Sequence, residues 1–157
     1  AMLAVPGAED DDEEDAGPGI LTKAEAEWRD LLGLSGELIA TVERAVQSVG
    51  ADFDSIFRAM RLGLAEDYPF LDPTTNRLEY GGGRVRLHAR PGLDEYVKGM
   101  AECLRRVVRK SAGAGQEGRV RERVALELAV LARRRATRLA HFKFTTQLDR
   151  IAGTKVL

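Results

Sequence analysis

The chain has few of the residue types that mark common functional classes. It contains one cysteine, Cys103, so an internal disulfide is excluded and a reducing compartment is the expected setting. We accordingly expect a cytoplasmic, bacterial protein. No apolar run approaches the roughly 18 to 20 residues that span a bilayer, so no membrane span is expected. Its two histidines, His88 and His141, stand at no spacing typical of a metal site or a catalytic triad. We therefore predict a non-enzyme that uses neither a metal nor a cofactor.

Catalysis would require distant residues to converge in the fold. The segment from Glu66 to Asp72 is acidic, but surface loops commonly are. A hydrolase or a transferase would be favoured only if a deep pocket brought His88 or His141 to this segment.

Charge is divided unevenly along the chain. The first 83 residues carry 18 acids and 6 bases, whereas the last 74 carry 18 bases and 7 acids. The near-neutral total therefore conceals a strongly polar molecule. Residues 9–15 are all acidic and have nothing to bury. We expect residues 1–19 to be a disordered acidic linker or a tag remnant, which joins one helical domain, residues 20–157, to a larger protein.

The first helix is predicted by a cap and by apolar periodicity. Thr22 and Glu25 have the spacing of a capping box, and apolar residues then recur at steps of three and four. This pattern predicts a helix from about 23 to 49. Gly33 and Gly36 lower its helix propensity, so the pattern allows a kink near them.

Two further helices are also predicted by end signals and apolar periodicity. Gly50 ends the first helix and Asp52 can cap a second, from about 53 to 65. A third is predicted from about 93 to 110, with an unbroken apolar stripe. Cys103 lies at the edge of that stripe and is expected to be a small core residue.

A β-hairpin is predicted between the second and third helices. Apolar and polar residues alternate over 78–80 and again over 85–87, around the three glycines 81–83. A phosphate-binding loop would need a following helix, so the glycines are interpreted as a turn. An isolated hairpin is marginal in water, and its apolar side must therefore lie on the helices.

The last segment predicts one long helix, because residues from Arg119 to about Gly153 include neither proline nor an internal glycine. Thirty or more residues would span about 50 Å, longer than a compact domain readily covers. Rotation at 100° per residue gives two apolar arcs. The main arc is Val124, Leu128, Leu131, Leu139 and Phe142, and the second is Leu126, Val130 and Phe144. We expect the second arc to form the interface of a twofold homodimer.

Arg135 is the most unusual residue of this segment, because it falls inside the main apolar arc. A guanidinium there needs a carboxylate, a bound anion or a path to water. One interpretation is that it reaches water or pairs with an acid from the negative half of the chain. The other is that Arg135, with Arg133, Arg134 and Arg138, binds an acidic protein partner or a phosphate.

These patterns predict a mainly α fold: a four-helix bundle-like domain with one β-hairpin inserted between its second and third helices. The expected function is a non-catalytic regulatory module of signalling type, which binds proteins and dimerises through its long C-terminal helix. The alternative is nucleic-acid or phosphate-ligand binding through the arginine-rich C-terminal half. That alternative lacks any helix-turn-helix, zinc-finger or RNA-reading motif.

Overall fold

The computed structural model describes residues 22–112 and 117–156. Across these ranges the chain is mainly helical, with six helices and one two-stranded antiparallel hairpin. The helices are α1 (Lys23–Ser48), α2 (Phe53–Gly63), α3 (Leu93–Ser111), α4 (Glu117–Arg134), α5 (Ala136–His141) and α6 (Leu148–Ala152), and the strands are β1 (Leu78–Gly81) and β2 (Arg84–Leu87). The predicted acidic linker, residues 1–19, lies outside the described residues. No helix within the described ranges combines the length and the apolar character needed to cross a membrane.

The chain divides into two compact units, Ala1–Leu31 and Leu32–Leu157. In the first unit, the predicted capping box is confirmed. The Thr22 amide donates to Glu25 Oε1 at 3.0 Å, and the Glu25 amide donates to Thr22 Oγ1 at 3.1 Å. Each side chain thus satisfies a main-chain donor that the first turn of α1 leaves unpaired.

In the second unit, the connection from α1 to α2 follows the predicted signals. Gly50 adopts a left-handed φ of 84°, which favours glycine, and its amide donates to the Gln47 carbonyl at 3.0 Å. The Asp52 side chain then accepts a hydrogen bond from the Ser55 amide at 3.3 Å and caps α2. Helix α2 ends at Gly63, two residues earlier than the pattern predicted.

The predicted hairpin is confirmed, and its turn lies against α1. Strands β1 and β2 pair with Leu78 opposite Leu87 and Tyr80 opposite Val85. A side chain at Gly36 of α1 would collide with the carbonyl oxygen of Gly83 in the turn. Gly36 therefore allows close approach of two backbones, and α1 continues through it without interruption.

Helix α3 contacts α2, α4, α6 and the short 3-10 turn Pro69–Leu71. Cys103 on α3 is completely buried, as predicted. At Gly99 the rings of Tyr68 and Phe70 approach so closely that a Cβ atom would lie 2.8 to 2.9 Å from them. The two aromatic rings therefore pack directly on the α3 backbone.

Glu102 connects α3 to α6 electrostatically. Its carboxylate accepts hydrogen bonds from Arg105 at 2.7 and 3.0 Å and from Arg106 at 2.9 Å, and Arg150 of α6 lies 3.6 Å away. Hydrogen bonds from Arg105 and then Arg106 outweigh the desolvation of this carboxylate, so its pKa falls to about 2.

The predicted continuous fourth helix is wrong. A first break lies at Arg135, between α4 and α5, where the backbone has φ −122° and ψ 32°. A second follows α5, where Lys143 adopts a left-handed φ of 64°. There the Phe144 amide donates to the Leu139 carbonyl at 2.8 Å, and the Lys143 amide donates to the Ala140 carbonyl at 3.1 Å. This pair of bonds is the Schellman closure of a helix, with lysine at the position that glycine usually occupies.

The second break reverses the predicted exposure of one residue. Phe144 is completely buried, and so are Leu148 and Ile151 on the segment that follows it. Helix α6 packs back onto α3 and α4. The second apolar arc, which depended on a straight helix, therefore does not extend to Phe144.

Candidate functional site

Arg135 is held by a carboxylate from the acidic half of the chain. Its Nε atom lies 3.1 Å from each carboxylate oxygen of Glu37 on α1, and Arg134 Nη2 lies 3.2 Å from the same group. Burial raises the pKa of Glu37, but the hydrogen bonds from Arg135 and Arg134 outweigh it and the pKa is lowered. Arg135 thus has the structural partner that the first interpretation required.

The four arginines predicted to bind an anion lie on α4, at its junction with α5 and on α5. Arg134 and Arg135 contact Glu37, whereas Arg133 and Arg138 have exposed side chains on α4 and α5. A phosphate at Arg135 would compete with the Glu37 carboxylate, which already accepts hydrogen bonds from two guanidinium groups.

The predicted interface residues on α4 do lie at the surface. Leu126 is 67% exposed and Val130 is 50% exposed, one helical turn apart. A shallow depression of about 360 Å³ borders Leu126 and is also lined by Val49, Arg119 and Glu122. Helix α4 therefore presents an apolar face with charged edges.

The two histidines lie in different surroundings at the surface. His88 follows β2 and places Nε2 3.4 Å from Glu79 on the neighbouring strand. The His141 ring meets the Phe142 ring edge-on, with centroids 4.7 Å apart. Within the ranges 22–112 and 117–156, no group of three histidine, cysteine or acidic residues could hold a metal ion.

Arg61 on α2 is a buried cation that the sequence reasoning missed. Only 9% of the residue is exposed. Its Nε atom donates to the Leu71 carbonyl at 2.9 Å, and its Nη2 atom donates to the Leu78 carbonyl at 2.7 Å. The guanidinium carbon lies 5.6 Å from the centroid of the Phe57 ring. Arg61 thereby joins α2 to the 3-10 turn and to the first strand.

A sequence signal for Arg61 did exist. It follows Phe57 by four residues and Phe53 by eight, so it lies on the same side of α2 as both buried rings. Helical rotation thus places Arg61 inside an apolar stripe, as it places Arg135 in the predicted last helix. Burial lowers the pKa of its guanidinium by opposing the charged form, which remains the form present near neutral pH.

A second polar pair lies beside Arg61. The Tyr80 hydroxyl donates to Glu43 Oε1 at 2.6 Å, and the Tyr80 ring meets the Phe57 ring edge-on at 6.0 Å. Burial raises the pKa of the Tyr80 phenol, and the hydrogen bond to the Glu43 carboxylate makes a smaller contribution in the same direction. The hydroxyl therefore stays protonated and fixes the carboxylate of Glu43 beside the hairpin.

These groups surround a half-open cavity of about 330 Å³ next to the turn of the hairpin. Two acids, two bases and two aromatic rings line it: Glu43, Asp54, Arg58, Arg61, Phe57 and Tyr80. The cavity is separate from the exposed face of α4, because the two share no lining residue.

Among protein family models, curated proteins and solved structures, none matches this chain. A function therefore has to follow from the chemistry of its own residues. The exposed face of α4 and the cavity beside the hairpin both offer such chemistry.

Proposed function

We propose that the chain is a non-catalytic interaction module that forms a homodimer through α4. The observation that carries the proposal is the pair Leu126 and Val130, which are large, apolar and at least half exposed. In the described part of the chain, Leu62 is the one other large hydrophobic residue with comparable exposure. Adjacent exposed hydrophobic side chains favour an interface because their burial removes apolar surface from water.

A second copy of α4 fits this face by symmetry and charge. Residues four apart lie on one side of a helix, so Leu126 and Val130 form a continuous strip. An antiparallel twofold pairing centred between them places Leu126 against the partner's Val130. Glu122 then lies toward the end of the partner helix that carries exposed Arg133. Twofold symmetry repeats this approach of opposite charges on both sides of the axis.

The expected dimer is weak. Two exposed side chains per copy supply only part of the roughly 1,200 to 2,000 Å² that stable interfaces bury. We expect dissociation in the micromolar range, which suits a regulatory contact within a larger cytoplasmic protein of signalling type. The packing of α3 against α2 and α4 also supports a four-helix bundle-like arrangement as part of this proposal.

Sedimentation velocity tests the interface. The unmodified chain is expected to shift from monomer to dimer as its concentration rises through the micromolar range. Leu126→Glu should keep it monomeric, because two glutamates would be buried near the axis. Leu62→Glu is the matched control, since Leu62 is 56% exposed on α2, and it should dimerise normally. A chain that stays monomeric at every concentration would overturn the proposal.

Nucleic-acid or phosphate-ligand binding through the arginine-rich half is the alternative function. Exposed Arg133 favours it, whereas the engagement of Arg134 and Arg135 by Glu37 opposes it. Fluorescence anisotropy with generic DNA and RNA decides between the two. Affinity that falls steeply with added salt would support this alternative.

A further inference from the structure

We propose that the cavity beside the hairpin binds a small zwitterion of the amino-acid type. Its carboxylate would meet Arg61 and Arg58, and its ammonium group would meet Glu43 and Asp54. This inference goes beyond the proposed dimer and uses none of its residues.

Arg61 is a buried cation that is bonded to main-chain carbonyls rather than to a carboxylate. A guanidinium has five N–H donors, and two of those in Arg61 reach main-chain carbonyls. Asp72 interacts with Arg61 electrostatically, but no hydrogen bond or salt bridge joins the two residues. A buried cation without a directly bonded carboxylate is costly, so an anion entering this cavity would gain both charge pairing and hydrogen bonds.

Glu43 and Asp54 form an acidic wall of the same cavity. Glu43 is half-buried and is held by the Tyr80 hydroxyl through one oxygen. Its other oxygen receives only a 3.4 Å contact from Gln47, so it retains capacity to accept hydrogen bonds. Asp54 lies on the first turn of α2 and adds a second negative charge. These two acids favour a cationic group at this wall.

The charges that line the cavity discriminate among anions. Two acids and two bases make the cavity neutral overall, so a phosphate dianion would be repelled by Glu43 and Asp54. A carboxylate is planar and matches the guanidinium fork, and an ammonium group on the same molecule would offset the acids. A volume of about 330 Å³ is at the small end of ligand cavities, which suits a single amino acid.

Amide chemical-shift titration of the ¹⁵N-labelled chain tests this specificity. The standard L-amino acids are added one at a time at millimolar concentration, and inorganic phosphate is added separately. At least one amino acid should give saturable shifts at Gly81, Gly82 and the end of α2, whereas phosphate should not. For L-leucine, the paired probes are 4-methylpentanoate, which lacks the amine, and 3-methylbutylamine, which lacks the carboxylate. For each amino acid that binds, the corresponding half-molecules should bind at least about ten-fold more weakly.

Two exposed lining residues allow variants that leave the fold intact. Arg58→Gln and Asp54→Asn should each weaken binding about five-fold or more. The matched controls are Arg86→Gln and Asp67→Asn, which are exposed residues outside the cavity lining and should bind like the unmodified chain. No saturable shift with any amino acid, equal binding of a half-molecule, or unchanged binding in both lining variants would overturn the proposal.

Discussion

Replacing Arg61 with methionine tests whether this buried cation joins α2 to the hairpin. Methionine keeps an unbranched stem of similar volume but removes both hydrogen bonds to the carbonyls of Leu71 and Leu78. Each buried acceptor left without a partner costs about 1 to 3 kcal/mol. Removal of the desolvated charge offsets part of this loss. The expected net change is a loss of about 2 to 4 kcal/mol in the free energy of unfolding.

Chemical denaturation followed by far-ultraviolet circular dichroism measures this change. Arg58→Met is the matched control, because Arg58 is an exposed arginine on the same helix and should cost less than about 0.5 kcal/mol. The stability lost in Arg61→Lys should lie between the losses in Arg61→Met and Arg58→Met, since one ammonium group cannot reproduce the planar fork that reaches both carbonyls. If Arg61→Met proves as stable as Arg58→Met, the two hydrogen bonds do not secure the hairpin, and the reasoning is refuted.

Three further predictions concern separate parts of the fold. Gly36→Ala should destabilise the chain by about 1 to 3 kcal/mol, because its Cβ atom would collide with the hairpin turn. Gly33→Ala should be neutral or stabilise the chain by up to about 1 kcal/mol, because a Cβ atom there meets no other atom. Thermal melts compare the two variants. The folded-state pKa of Glu102 is about 2 against an ordinary 4.5, so its stabilisation is complete above pH 4.5 and is lost as pH falls toward 2. Glu102→Gln should therefore lower the free energy of unfolding by about 1 to 2 kcal/mol at pH 6. The difference in unfolding free energy between this variant and the unmodified chain should shrink on acidification, and a constant difference would contradict the assignment. Burial raises the pKa of the Cys103 thiol to about 12, so a thiol reagent should label it only after denaturation.

The elements with local signals were predictable from the sequence. The Thr22–Glu25 capping box, the Asp52 cap and the glycine turn of the hairpin each depend on residues within a few positions of one another. Such signals are read directly from short stretches of sequence. The helix starts and the presence of the hairpin therefore agree closely with the structure.

The division of the last segment into three helices was not predictable in the same way. The left-handed turn at Lys143 occupies a position where glycine would have signalled the end of a helix. Lysine gives no such signal, and the turn is instead accompanied by complete burial of Phe144. Burial of that kind depends on tertiary packing, which overrides local propensity.

The candidate sites required information about long-range contacts. Glu37 and Arg135 are 98 residues apart, so the need for a carboxylate could be predicted but not which acid supplies it. The cavity beside the hairpin likewise joins Glu43, Arg61 and Tyr80 from three separate elements. Periodicity on α2 could have identified Arg61 as buried, but not the carbonyls that it holds.

Disulfide cross-linking tests the proposed α4 interface most directly. Two variants, Leu126→Cys and Val130→Cys, are mixed under mild oxidation, since native Cys103 is buried and should not interfere. The antiparallel pairing predicts that this mixture forms crosslinked dimers faster than either variant alone, and faster than Leu62→Cys, which is similarly exposed on α2. Crosslinking of the mixture at the rate of Leu62→Cys alone would contradict the account.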